Sequence, residues 1–345
     1  MYATEKQNHR EEQMEQIIQV KGLKKYFGKV KAVDDISFSV ERGELFGFLG
    51  VNGAGKSTTI NMLCTLFRPT AGEIKIGGNA LGREDEAIRR LIGMVYQNNC
   101  LDDRLTVREN LLIRGSLYEK DSRMLKGNME RVCGRLRLEE TLDRHFGRLS
   151  GGQKRKCEIA RALLHTPEIL FLDEPTTGLD PATRKTVWES LENLRQEGMT
   201  IFLTTHYMEE AAKCSHIAVM DSGKIREYGT PFSLKEKYSR DRLRLMAKPG
   251  MGAALEARLD AINCGQEDSG TEKSKTLAKR KPAEISGKGS AGNPEERLYD
   301  IFLQDSMMAL PVLKAAEEFL EGFELAQGSM DDVFLNITGK NLEEI

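Results

Sequence analysis

The sequence predicts an α/β protein built on a largely parallel sheet, followed by a smaller α+β domain. Three observations predict it. A glycine-rich segment, Gly50-Val51-Asn52-Gly53-Ala54-Gly55-Lys56-Ser57, lies between an apolar strand-length run and a helical pattern. Apolar runs of strand length recur at residues 44–49, 169–172 and 200–205, as strands buried on both faces of a parallel sheet require. After about Tyr238 the pattern shifts to shorter alternating runs around a polar, charge-balanced stretch. The expected organisation is a polar tail over 1–14, a main domain over 15–238 and an accessory domain over 239–345.

Each element has its own signal. Ile17-Ile18-Gln19-Val20 and the alternating Ile36-Ser37-Phe38-Ser39-Val40 read as strands. Residues 44–49 feed the glycine-rich loop as a buried strand, and residues 56–66 read as the helix after it. Residues 98–165 read as mostly helical. Within them Thr106, with Glu109 three residues on, forms a capping-box pattern. Strands alternating with helices through 169–205 give the α/β class. Arg242-Leu243-Arg244-Leu245 alternates as a strand and residues 253–262 read as helix. Residues 265–294 are rich in Lys, Glu, Ser and Gly. With few large apolar side chains they are expected to form a solvated linker. Residues 297–303 and 323–325 read as strands, and 310–320 and 330–338 as helices.

Composition narrows the function. The 345 residues carry 39% hydrophobic and 30% charged side chains, with net charge −2. No global field favours nucleic acid, so none is expected as a partner. None of the six cysteines forms a C-x-x-C pair, which reads as reduced thiols in a cytosolic protein rather than a disulfide framework. The N-terminus lacks the apolar core of a signal peptide, and no run of about 18 apolar residues occurs. If the protein serves transport, another chain supplies the pore.

The glycine-rich segment fits G-x-x-x-x-G-K-[ST]. Glycines let backbone N–H groups turn inward around an anion. Lys56 can then reach the β- and γ-phosphates of a nucleotide, and Ser57 can hold Mg²⁺. A second, independent segment follows: Leu149-Ser150-Gly151-Gly152-Gln153. Leu170-Phe171-Leu172-Asp173-Glu174-Pro175 then ends an apolar strand in an acidic pair. Such a pair is costly to bury unless it serves a cation or a proton transfer.

Together these segments resemble the ATP-binding cassette (ABC) ATPases. The resemblance covers residues 16–235. It implies a P-loop NTPase fold with a RecA-like core, an antiparallel β subdomain and a helical signature subdomain, using ATP and Mg²⁺. By resemblance Gly50, Asn52, Gly53, Ala54, Gly55, Lys56, Ser57 and Thr58 bind the phosphates. Ser57, Gln97 and Asp173 hold the metal. Glu174 orients the attacking water, with Gln97 and His206 sensing the γ-phosphate. Phe27, or its neighbour Tyr26, stacks on adenine. Ser150, Gly151, Gly152 and Gln153 contact the nucleotide of a partner subunit, and Asp180 ties the two sites together. The bland alternatives are a strand-end acidic turn, a loop glutamine, a structural histidine and a core aromatic. Cys214 and His216 fit no common zinc spacing and read as packing residues. Val51 stands where many members have proline.

The segment Ser329-Met330-Asp331-Asp332-Val333-Phe334-Leu335-Asn336-Ile337-Thr338-Gly339 resembles the close of daunorubicin-resistance ATPases, which pair with ABC-2 type permeases. That resemblance implies a peripheral subunit on the cytoplasmic face of a prokaryotic membrane. It powers export of a drug, lipid, polysaccharide or ion, with a second ATPase subunit, preferably an identical copy. The competing reading is a soluble ABC ATPase outside transport. Ribosome-acting members carry two cassettes, and DNA-repair members insert a long coiled coil that the interval from 97 to 149 cannot hold. A P-loop kinase or GTPase does not explain LSGGQ.

Overall fold

The computed structural model describes residues 15–264, 278–282, 298–303 and 306–339. The chain divides into two compact units, one ending at Pro231 and the other running from Phe232.

The first unit opens with a long hairpin, β1 (Gln16–Phe27) and β2 (Val30–Glu41), turned at Gly28 with φ +58°. β3 (Leu45–Leu49) leads to α1 (Lys56–Leu63). β4 (Ala71–Ile76), β5 (Asn79–Ala80), α2 (Asp85–Leu91) and β6 (Ile92–Val95) follow. The helical region is α3 (Val107–Gly115), α4 (Ser122–Leu136) and α5 (Gly151–Leu163). The Thr106–Glu109 capping box is present at α3. α4 buries Leu125, Met129, Val132, Cys133 and Leu136, a stripe at helical spacing. Then come β7 (Ile169–Asp173), α6 (Pro181–Gln196), β8 (Thr200–Thr205), α7 (Met208–Ala211), β9 (His216–Asp221) and β10 (Lys224–Gly229).

The strands form two sheets. One is antiparallel, in the order β2-β1-β4-β5. The other runs β10-β9-β3-β8-β7-β6, all parallel except the edge strand β10. Every residue of β3, β7 and β8 is buried, which accounts for their unbroken apolar runs. Register then places the chemistry. Leu49 pairs with Thr205 and Asp173 with Thr204. The loop after β3, the acidic end of β7 and the residue after β8 therefore emerge along one sheet edge. Such an edge, at the carboxyl ends of parallel strands, is where open α/β sheets bind ligands.

The second unit contains α8 (Pro231–Tyr238), β11 (Asp241–Ala247), α9 (Gly252–Cys264), β12 (Ala278–Pro282), β13 (Leu298–Leu303), α10 (Ala309–Ala316), β14 (Leu320–Ala326) and α11 (Met330–Thr338). Its antiparallel sheet runs β12-β13-β11-β14. Leu243, Leu245, Ile301 and Leu303 meet Leu255, Leu259, Val312 and Ala316 in its core. Within the stretch 265–294 expected as linker, residues 278–282 pair with β13; its other residues, and the tail 1–14, lie outside the described residues. The helix expected to Leu320 ends at Ala316, and residues 320–326 extend as an edge strand. No helix among the described residues is long and apolar enough to cross a membrane.

Candidate nucleotide hydrolysis site

The loop between β3 and α1 is shaped by its glycines. Gly53 and Gly55 take φ of +78° and +107°, open to glycine and strained for other residues. A Cβ at Gly50 would collide with the Met220 carbonyl, and one at Gly55 with the Ala32 carbonyl. Lys56 is buried and curls back, its Nζ donating to Gly50 O at 2.7 Å and Val51 O at 3.1 Å. Burial pushes its pKa down, against the pull of Glu174 and Asp173. The exposed Ser57 donates from Oγ to Asp173 Oδ1 at 3.2 Å.

The acidic pair is held from several sides. Glu174 has φ +47°, a left-handed conformation that costs an L residue roughly 1–2 kcal/mol. Its amide donates to Thr204 O at 3.2 Å and Thr204 Oγ1 at 3.0 Å. Its Oε2 accepts from Gln97 Nε2 at 3.2 Å and Thr177 Oγ1 at 3.1 Å. Lys56 Nζ lies 3.6 Å from Oε1, and His206 Nδ1 lies 3.5 Å from Oε2. The structure thus gathers Lys56, Gln97, Glu174 and His206 at one point, with Ser57 and Asp173 beside them. Two hard oxygens, Ser57 Oγ and Asp173 Oδ1, converge at the loop mouth. That donor set fits Mg²⁺, which takes one or two protein oxygens beside phosphate and water.

The remaining residues lie apart from this cluster. Phe27 keeps 47% of its surface exposed, braced edge-on by Phe67 at 6.0 Å with Lys25 Nζ 5.0 Å from its centroid. Tyr26 is instead tied by its hydroxyl to Asp34 at 2.6 Å. Ser150 caps α5 in a box with Gln153, and Ser150 and Gly151 face solvent. Gly152 has no room for a Cβ against Thr183. Asp180 caps α6 through Thr183 N at 3.0 Å. Cys214 is buried; His216 stacks on Tyr228 with centroids 5.6 Å apart. Cys64, Cys100, Cys133, Cys157 and Cys214 are free thiols.

Four supporting residues escaped sequence reasoning. Arg155, buried in α5, donates to Tyr96 O at 2.5 Å, Pro175 O at 2.6 Å and Asp173 O at 3.2 Å. Burial lowers its pKa to about 10. Glu158 accepts the amides of Cys100 and Leu101 at 2.5 and 3.0 Å. Thr204 joins Asp173 to Glu174. Glu210 accepts from Thr176, from Trp188 Nε1 at 3.0 Å and from Thr205 Oγ1 at 2.6 Å. Only Arg155 had a local cue, two residues beyond LSGGQ; the rest act on partners that no short motif joins.

A family model described as ABC transporter matches residues 33–177. The chain is similar to daunorubicin resistance ATP-binding protein DrrA3 of Streptomyces coeruleorubidus, 35% identical over 329 residues, which cover 93% of this chain and 96% of that one. Nod factor export ATP-binding protein I of Rhizobium sp. (strain N33) is 44% identical over 222 residues, 64% of this chain and 73% of that one. A solved dimeric ATP-binding cassette in a post-hydrolysis state with ADP and Pi has a TM-score of 0.56 at 26% identity, over 62% of this chain and 98% of that one. With the loop, the acidic pair and the histidine on one sheet edge, the chain belongs to the ATP-binding subunits of ABC transporters, of the daunorubicin-resistance type, and hydrolyses ATP to power transport.

Proposed function

We propose that two copies of this chain close head to tail over two ATP molecules and drive export through a separate ABC-2 type permease, from the cytoplasmic face of a prokaryotic membrane. The cargo class is a drug, lipid, polysaccharide or ion. The observation that carries the reading is the convergence of Lys56, Gln97, Glu174 and His206 at the loop mouth.

Gly50, Asn52, Gly53, Ala54, Gly55 and Thr58 form the phosphate cradle. ATP draws Lys56 off the Gly50 and Val51 carbonyls onto its β- and γ-phosphates. Ser57, Asp173 and Gln97 would hold Mg²⁺, which would supply charge neutralisation at the phosphates. Glu174 polarises water for attack on the γ-phosphorus. The new bond joins water oxygen to phosphorus, and the bond to the β-phosphate oxygen breaks. His206 donates to the γ-phosphate, and the half-exposed Phe27 ring stacks on adenine. Among the described residues no hydrogen bond or ion pair joins residues 150–153 to residues 50–57. Ser150, Gly151, Gly152 and Gln153 are thus free to complete the site of a partner copy, with Asp180 linking the two sites. A C2 arrangement satisfies both sites at once.

Glu174→Gln tests this. Its turnover should fall at least about 10²-fold while ATP binding survives, and light scattering should show monomers that become dimers with Mg-ATP. Wild-type turnover would remove Glu174 from the mechanism, and hydrolysis independent of protein concentration would overturn the sandwich.

A further inference from the structure

The second unit holds a cavity of about 1150 Å³ that ATP hydrolysis does not use. Its floor is a row across the sheet, where Arg242 of β11 pairs with Phe302 of β13 and Ala326 of β14. Side chains alternate along strands, so this row lies on the face opposite Leu243, Leu245, Ile301 and Leu303. One wall is α11, the closing segment singled out in the sequence. Its Met330, Val333 and Phe334 are buried, while Leu335 lines the cavity and stays 43% exposed.

The lining sets three cations, Lys237, Arg240 and Arg242, against one carboxylate, Asp332. Arg240 and the half-buried Arg242 enter it, and neither forms an ion pair or side-chain hydrogen bond among the described residues. The aspartates of the same elements are engaged. Asp300 takes both guanidinium N–H groups of Arg244 at 2.8 and 2.9 Å. Asp241 accepts Gly328 N at 2.9 Å, and Asp332 closes its own helix cap. Ser239 also lines the cavity; it is 8% exposed and its Oγ has no hydrogen-bond partner. Two unpaired guanidinium groups beside the Phe302 ring and the Leu335 side chain suit an anionic head on an apolar body.

We propose that this cavity binds a small amphipathic anion, its phosphate or carboxylate head on Arg240 and Arg242 and its apolar body on Phe302 and Leu335. Such an anion could be a membrane lipid or a soluble amphiphile. In either case the accessory unit senses a ligand distinct from ATP.

Calorimetry on the full chain, with octyl phosphate as probe and inorganic phosphate as control, tests it. Octyl phosphate should saturate the wild type with at least about tenfold greater affinity than inorganic phosphate, since burial of each CH₂ adds to binding. The double variant Arg240→Gln, Arg242→Gln should weaken it at least about tenfold. Leu335→Asp should weaken it independently. Turnover without the probe should stay at the wild-type value in both variants. A flotation assay separates the sources. Arginine-dependent binding to phosphatidylcholine vesicles containing phosphatidylglycerol, but not to phosphatidylcholine alone, identifies a lipid. Octyl phosphate binding without vesicle binding identifies a soluble amphiphile. Equal affinity of the wild type and the folded double variant, or no saturation at millimolar probe, would overturn the proposal.

Discussion

Thr204 Oγ1 donates to Asp173 Oδ1 at 2.6 Å, and the same oxygen accepts the amide of Glu174 at 3.0 Å. One buried hydroxyl thus fixes both acidic residues of the site. Thr204→Val keeps the volume and removes the hydroxyl. Glu174 N retains the Thr204 carbonyl at 3.2 Å, so the turn should survive while Asp173 loses a donor. Ser57 Oγ still donates to Asp173 Oδ1 at 3.2 Å, so what is lost is one hydrogen bond to a charged group, about 1.5–3 kcal/mol. We expect kcat to fall about tenfold with KM for ATP within twofold, a split read by steady-state kinetics. Unchanged kcat would show that the hydroxyl has no positioning role.

Glu210 works on the other side of the same strands. Its carboxylate, 1% exposed, gathers donors from Thr176, Trp188 and Thr205. Those residues lie beside Glu174, on α6 and beside His206. Glu210→Ala strands the donors in the core and should cost about 2–4 kcal/mol by denaturant titration. Glu210→Gln keeps one oxygen, and Thr205 Oγ1 can still accept from the new amide, so at least half of that loss should be restored. Equal losses in the two variants would argue that packing volume, rather than hydrogen bonding, is what Glu210 supplies.

The contrast between these residues and the motifs shows what the sequence could disclose. Gly50–Ser57, Asp173–Glu174 and Ser150–Gln153 are legible because each function sits in a contiguous segment whose residue types have few other uses. The strands beneath them are legible because two-sided burial demands an unbroken apolar run. Thr204, Glu210 and Arg155 are ordinary residues until tertiary pairing brings β7 beside β8 and α5 over both. Leu101 misleads in the opposite direction. It is an apolar residue within a polar, charged stretch after Gln97, yet it is 7% exposed, its amide tied to Glu158. The second unit was less legible because its strands are half-exposed: no residue of β14 is fully buried, so no apolar run marks it.

Acid should loosen the second unit through Asp300. Two hydrogen bonds from Arg244 hold its carboxyl below the ordinary 3.8, against a smaller effect of burial. A folded pKa below the unfolded one gives stability that is fully present above the unfolded value. It is lost as pH falls through the folded one. Asp300→Asn should therefore lower stability at neutral pH and flatten its decline below about pH 4. Melting of the full chain followed from pH 7 to pH 2 checks this, and an unaltered pH slope would exclude the pair as a source of acid sensitivity.

The docking surface for the permease should lie on the end of α3 and not on Leu101. Glu158 pins the amides after Gln97, so a load there reaches the loop that touches Glu174. Asp102 and Asp103 face solvent beside it. Ile113, Leu117 and Tyr118 expose 54%, 74% and 57% of their surfaces, an apolar group flanked by charge of the kind that forms an interface centre and rim. Cysteines at Asp102 or Leu117 should crosslink to loops of the permease, while a cysteine at Leu101 should not. Leu117→Asp should weaken assembly at least about tenfold and leave the ATPase rate of the isolated subunit within about twofold. A full loop scan that crosslinks neither position would move the dock elsewhere on the cassette.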